Sequence, residues 1–243
     1  MFKVIICKDY DQLSEEAFKV MKEVVESKEH PVLGLATGSS PVGLYKKMQA
    51  DQRAGYSYKK CSSYNLDEYV NIPTDHEQSY WTFMHENLFN GLDVDEENIH
   101  VPVGRSGDQA DCDAYNALLD GVVRDIQVLG IGSNGHIAFN EPGTPFDSRT
   151  HIVTLKEGTR QDNARFFNSI DEVPTHAITM GLYDIMCARK ILLVANGANK
   201  AEAVAQMLEG ELSTDFPCTL LKNHPDVTVI IDEPAAAKLT KAY

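Results

Sequence analysis

At 243 residues the chain is long enough for one large α/β domain with a sizeable core, and its 43% hydrophobic and 24% charged residues form no low-complexity tracts. A formal net charge of -14 repels phosphate backbones at long range and excludes nucleic acid as a partner. The opening apolar run, Val4 to Cys7, is too short for a secretory leader and no later run approaches the ~18 apolar residues of a membrane span, so a cytoplasmic protein with no membrane partner is expected.

In chain order, short β-branched runs alternate with helical periodicity. Val4 to Cys7 reads as a strand and 13–27 as a helix with apolar residues every three to four positions. VLGLA at 32–36 reads as a buried strand, and the next helix opens at Pro41. CSSYNL at 61–66 gives a third strand, followed by helices near 79–88 and 108–123 and by the strand QVLGI at 127–131. Further strands are expected at 151–155, 176–180, 191–195 and 227–231, with a helix at 198–209. This alternation predicts a mainly parallel sheet covered on both faces. Cys7, Cys61, Cys112, Cys187 and Cys218 are odd in number and far apart, without metal-ligand spacing, so they read as reduced thiols.

Ligands of such folds gather beyond the carboxyl ends of the strands, where the strand order reverses. Three loops there are unusual. Thr37, Gly38, Ser39 and Ser40 follow the second strand, with Ser40 suited to cap the next helix and Pro41 to its first position. Their amides and hydroxyls suit an anion such as phosphate, and a capped turn without a ligand is the competing reading. The loop lacks the G-K-[ST] ending of a Walker motif. Next, Asn65-Leu66-Asp67-Glu68-Tyr69 puts two adjacent carboxylates just past a strand end. Restricted water there lifts a carboxylate toward the range of a general base, whereas a solvated surface pair would do nothing. The third loop, LGIGSNGHIAFNEPG at 129–143, spells G-x-G-x-x-G at Gly130, Gly132 and Gly135, but Pro142 and Gly143 stop any helix after a turn or two. A dinucleotide needs a full helix at that point and is disfavoured. What remains is Asn134, His136 and Glu141 on one glycine-bracketed loop, where a carboxylate can fix the tautomer of a histidine and raise its basicity. A histidine satisfied by a backbone carbonyl is the bland alternative.

Taken together, LGLATGSSPVGLY, NLDEYVNIP with HEQSYWTFM, GIGSNGHIAFNEPG, and TRQDNARFF followed by NGANKAEAV resemble the glucosamine-6-phosphate deaminase family over nearly the entire chain. The resemblance implies a single three-layer α/β/α, Rossmann-like domain over 1–243, and makes the G-x-G-x-x-G match incidental. It also implies roles. Asp67 matches the base that removes the C2 proton of the open-chain amino sugar. His136 matches the residue that shuttles protons during ring opening, and Glu141 its orienting carboxylate. Asn134 stands where many relatives have Asp; it can hold His136 by a hydrogen bond but supplies no charge, leaving Glu141 to carry the charge stabilisation. Arg165 and Lys200 match the family's basic phosphate contacts, beside Thr37, Gly38, Ser39 and Ser40. The implied reaction turns D-glucosamine 6-phosphate and water into D-fructose 6-phosphate and ammonia, isomerase and hydrolase in one, with no metal and no organic cofactor. A 6-phosphogluconolactonase-like hydrolase and a non-enzymatic sugar-phosphate sensor are the alternatives. His151 and Val153 stand where longer hexameric relatives carry cations for an activator, so a monomer without such activation is expected.

Overall fold

The computed structural model describes residues 2–164, 167 and 169–243. The chain begins with β1 (Lys3–Cys7) and α1 (Tyr10–Glu26), whose start is fixed by the Asp9 carboxylate accepting the Gln12 N–H at 2.8 Å. Next come β2 (Val32–Leu35), α2 (Val42–Arg53), β3 (Ser62–Asn65), β4 (Asp67–Tyr69), α3 (Tyr80–Asn87), β5 (Ile99–His100), α4 (Gln109–Asp120) and β6 (Ile126–Leu129). The second half contains β7 (His151–Thr154), α5 (Glu157–Ala164), β8 (His176–Thr179), α6 (Leu182–Met186), β9 (Ile191–Ala195), α7 (Ala201–Glu209), β10 (Val227–Asp232) and α8 (Glu233–Ala236).

Seven strands form a parallel sheet in the order β1-β10-β9-β6-β2-β3-β5, flanked by helices in a three-layer, Rossmann-like arrangement. Every residue of β6, β9 and β10 is buried, as the continuous apolar runs of a sheet covered on both faces require. From β2 the chain runs outward through β3 to β5 and then returns to β6 on the other side of β2. The loops after β2 and β6 therefore part at that reversal, which opens a crevice at the carboxyl edge.

Strand-helix alternation gives no hint of a second sheet, yet β4, β8 and β7 form one, antiparallel throughout. The segment after β3, expected to be a loop, is thus a strand whose Asp67 lies opposite Thr179. Leu66 is the single residue between the two sheets: its N–H donates to the Leu35 carbonyl (3.1 Å) and its own carbonyl accepts the Met180 N–H (2.7 Å). Tyr69, Phe139, Leu155 and Ala177 form a separate small core on this second sheet, with Tyr80 and Phe167 packed against it.

The start of α2 also departs from expectation. Pro41, not Ser40, is the capping residue, and it makes no side-chain cap. Ser40 Oγ instead donates to Asn196 Oδ1 at 2.9 Å. The Tyr10 hydroxyl takes over the cap from α1: it accepts the Gly43 N–H at 2.8 Å and lies 2.8 Å from the Ser39 carbonyl oxygen. The helix expected at 198–209 opens as a tighter turn, Ala198–Lys200, before α7 begins.

Glu68 alternates with Asp67 along β4 and turns toward the first turn of α3. Its carboxylate accepts the N–H groups of Tyr69 (2.8 Å), Tyr80 (3.0 Å) and Trp81 (3.1 Å), the natural place for an anion at a helix start. Glu68→Ala strips three amides of their acceptor in a mostly buried setting, and a loss of about 2–3 kcal/mol in urea unfolding is expected. A loss below about 0.5 kcal/mol would show that water replaces the carboxylate without cost.

Candidate active site

Asp67 is 6% exposed, although it carries a carboxylate. Burial, aided by the neighbouring charge of Glu68, pushes its pKa up to about 8. Glu68 is itself raised by burial, but the three amides it accepts pull the other way. The two adjacent carboxylates are therefore unlike: one is tied to a helix start, the other is left basic.

The loop after β6 contains no helix, since the chain turns repeatedly between Ile131 and Thr150. Its glycines have local reasons that do not involve a dinucleotide. A Cβ on Gly132 would overlap the imidazole ring of His136, and Gly135 adopts a φ of +84° with Phe216 packed against it. The ring of His136 thus lies directly on the backbone of its own loop. Its Nδ1 stands 3.7 Å from Glu141 Oε1, and the Glu141 side chain is only 7% exposed.

Asn134 holds His136 by a hydrogen bond, through the backbone and not the ring. Its Oδ1 accepts the backbone N–H of His136 (3.2 Å), and its Nδ2 donates to Glu141 Oε2 (2.9 Å). Residue 134 therefore clasps both ends of the motif, and Lys156 Nζ approaches the same Glu141 Oε2 at 3.5 Å. The loop is also tied to β8. Phe139 N–H donates to Thr179 Oγ1 at 3.1 Å, and Asn140 Nδ2 donates to the carbonyls of Ile137 (3.0 Å) and Met180 (2.9 Å). Because Thr179 also lies opposite Asp67, one strand holds both the carboxylate and the histidine loop.

A second group of polar residues ends β2 and β9. The turn of Thr37, Gly38, Ser39 and Ser40 is held at its root by Tyr45, whose hydroxyl donates to the Ala36 carbonyl at 2.5 Å. The N–H groups of Thr37, Gly38 and Ser39 meet no acceptor among the described residues. Lys200 closes the turn after β9, where its N–H donates to the Gly197 carbonyl at 3.0 Å. Ser40 and Asn196 join the two turns. Arg165, the other basic residue expected here, lies outside the described residues. Among the described residues, no three His, Cys, Asp or Glu side chains gather as a metal-binding group.

Sequence reasoning passed over Thr179, Asn140 and Lys156, which carry the links just described. Lys156 gives no local signal, being a lone lysine 15 positions from its partner. Asn140 stands between Phe139 and Glu141 inside FNEP, and its role shows only in space, where its amide reaches the carbonyls of Ile137 and Met180.

Residues 9–230 match the family described as glucosamine-6-phosphate isomerases/6-phosphogluconolactonase. The chain is 50% identical over 224 residues to the glucosamine-6-phosphate deaminase of Lysinibacillus sphaericus (strain C3-41), covering 91% of this chain and 94% of that protein. It is 48% identical over 240 residues to the glucosamine-6-phosphate deaminase of Bacillus cereus (strain G9842), covering 98% and 90%. A solved monomeric glucosamine-6-phosphate deaminase superposes with a TM-score of 0.94 at 45% identity, over 97% of this chain and 99% of that one. The 6-phosphogluconolactonase from Trypanosoma brucei, at 18% identity and a TM-score of 0.82 over 99% of both chains, shares the fold.

The raised pKa of Asp67 has a consequence for folding. Between about pH 4 and 8 the folded chain keeps a proton on Asp67 that the unfolded chain releases, so this residue's contribution to stability declines as pH rises through that window. Asp67→Asn removes the buried ionisation. The variant should melt higher than the parent, with a gap that widens from pH 5 to pH 8 and reaches about 3 °C or more. Parallel melting curves across that range would mean that Asp67 titrates normally.

Proposed function

Because the chain belongs to the glucosamine-6-phosphate isomerase/6-phosphogluconolactonase family, we propose that it is an enzyme converting D-glucosamine 6-phosphate and water to D-fructose 6-phosphate and ammonia. The observation that carries this reading is the buried, basic Asp67 held beside the His136–Glu141 loop by one strand. A proton on carbon is a weak acid, and its removal calls for a base of raised pKa. A lactonase attacks an ester with water and makes no such demand. The likeness to lactonases is one of fold, whereas relatives at 48–50% identity are named deaminases.

In the proposed mechanism His136 passes a proton between the C1 hydroxyl and the ring oxygen, opening the sugar to its aldehyde. Glu141 Oε1 faces the imidazole and favours its cationic form, while Asn134 and Lys156 hold the other oxygen. Asp67 then takes the C2 proton. The electron pair forms the C1–C2 double bond of an enolamine, and a proton delivered to C1 leaves an iminium at C2. Water adds to C2 and ammonia departs, giving the ketose. Isomerisation precedes carbon–nitrogen cleavage, so deaminating isomerase describes the reaction better than hydrolase. The side chains present supply each proton transfer.

The substrate phosphate is assigned to the amides of Thr37, Gly38 and Ser39, the Ser40 turn, Lys200 and Arg165. Several donors converging on one dianion act at contact distance, where they outweigh a global charge of -14 that is screened beyond about 10 Å. We assign the enzyme to the cytoplasm and to a monomeric state. Among the described residues no helix is long and apolar enough to cross a membrane, and the relative at 45% identity is monomeric. His151 Nδ1 is engaged with the Arg149 carbonyl at 2.8 Å and Val153 packs on the small core, so neither is the lysine- or arginine-type cation that an activator phosphate would pair with.

Purified protein without added cofactor should release ammonia from glucosamine 6-phosphate. Asp67→Asn should cut that rate by about 100-fold or more and stop solvent deuterium entering at C1, while ring opening continues. Ammonia release near the parental rate from this variant would sink the assignment. Asn134→Asp replaces a donor to Glu141 by a second negative charge beside the histidine loop, which favours the protonated form of the groups that react there. The acid limb of the kcat/KM profile should move to higher pH by about one unit. An unmoved profile would detach residue 134 from the reacting groups.

A further inference from the structure

We propose that Asp232 is a positioning residue for the phosphate end of the substrate, holding the turn that carries Lys200 in register with the turn of Thr37, Gly38, Ser39 and Ser40. The proposal rests on the reading of these two turns as the phosphate site.

Asp232 ends β10, which runs beside β9 with Ile231 opposite Ala195. The residue is buried, at 8% exposure. Both oxygens accept the Gly197 N–H, each at 3.0 Å, and Oδ1 also accepts the Ala235 N–H at 2.9 Å. Capping α8 uses only Oδ1. The other oxygen is directed wholly at Gly197.

Gly197 is the pivot of the Lys200 turn. It adopts a φ of +93°, a conformation that favours glycine, and this lets its N–H meet Asp232 while its carbonyl accepts the Lys200 N–H. One residue earlier, Asn196 Oδ1 accepts the Ser40 hydroxyl. The Lys200 turn is thus pinned on one flank by the end of β10 and on the other by the turn after β2, across the intervening end of β6. Tyr10 fixes that second turn in its own place. A negative charge this close to a phosphate site opposes anion binding. Its presence is accounted for by geometry: an ionised carboxylate is an acceptor at every lone pair and can take the Gly197 N–H with both oxygens.

Those two effects of Asp232 predict opposite signs for its neutralisation. Asp232→Asn keeps an oxygen for one amide, sets an N–H₂ against another N–H, and removes the charge. With the enzyme assayed on glucosamine 6-phosphate, KM should rise about tenfold, the inhibition constant for inorganic phosphate should rise by a similar factor, and kcat should stay within about twofold. Constants that fall, as relief of repulsion alone would make them, or that stay unchanged, overturn the proposal. Gly197→Ala strains the same turn from its other side and should raise the same two constants, which keeps the test open if Asp232→Asn does not fold. Lys200→Met run in parallel separates the two ideas. If it leaves both constants unmoved, the phosphate reading fails and the proposal falls with it. If Lys200→Met raises them and neither Asp232→Asn nor Gly197→Ala does, the phosphate site stands and the brace is refuted.

Discussion

The three polar turns of the candidate site hang from the carboxyl edge of one parallel sheet, and the reversal of strand order between β2 and β6 is the constraint that opens that edge. Parallel pairing sends successive loops to the same side. The turn after β2, the histidine loop after β6 and the Lys200 turn after β9 share a rim although they are about 100 residues apart in sequence at the first step and 60 at the second. The second sheet completes the arrangement from above. Its central strand, β8, takes β4 with Asp67 on one side and accepts the Phe139 N–H through Thr179, so the proposed base and the histidine loop share one support.

The site is built from negative charges in an already acidic chain, and each is handled by a different device. Glu68 is answered by amides at a helix start, which needs no counter-ion. Glu141 has an amide, an ammonium and an imidazole within reach. Asp232 is met by backbone N–H groups of Gly197 and Ala235. Asp67 is pushed to about 8, because desolvation there is joined by the repulsion of Glu68. Unequal compensation is how the two adjacent carboxylates, Asp67 and Glu68, come to differ.

The parts legible in the sequence were those written in contiguous residues. The parallel strands announce themselves as β-branched and apolar runs, ILLVA and VTVII, because both of their faces are buried. The histidine loop was legible because its chemistry is packed into eight residues from Asn134 to Glu141. The second sheet was not. Residues 67–69 form too short a strand to show alternation, and their partner lies 110 residues away. Ser40 looked like a helix cap because its neighbours permit one, but Tyr10, 30 positions earlier, supplies the bond and frees the serine to reach Asn196. The hydrogen bond of Asn134 to His136 was legible, but not that it falls on the backbone N–H or that the same amide also reaches Glu141, since these depend on the loop's path and not on its composition.

Leu66 determines how far the proposed base can move. Its two backbone bonds, one to each sheet, leave no slack between the end of β3 and Asp67, and it is itself 2% exposed. Catalytic groups on long loops can swing to follow a substrate; a carboxylate one residue from a double stitch cannot. The consequence is stereochemical. A fixed base approaches C2 from a single face of the bound chain, and an amino sugar epimeric at that carbon turns its hydrogen to the opposite face. If Asp67 is the base, an epimer held by the same phosphate and hydroxyl contacts would keep its C2 hydrogen out of reach, and handedness at one carbon would then be a property of the backbone and not of any side chain that recognises the sugar.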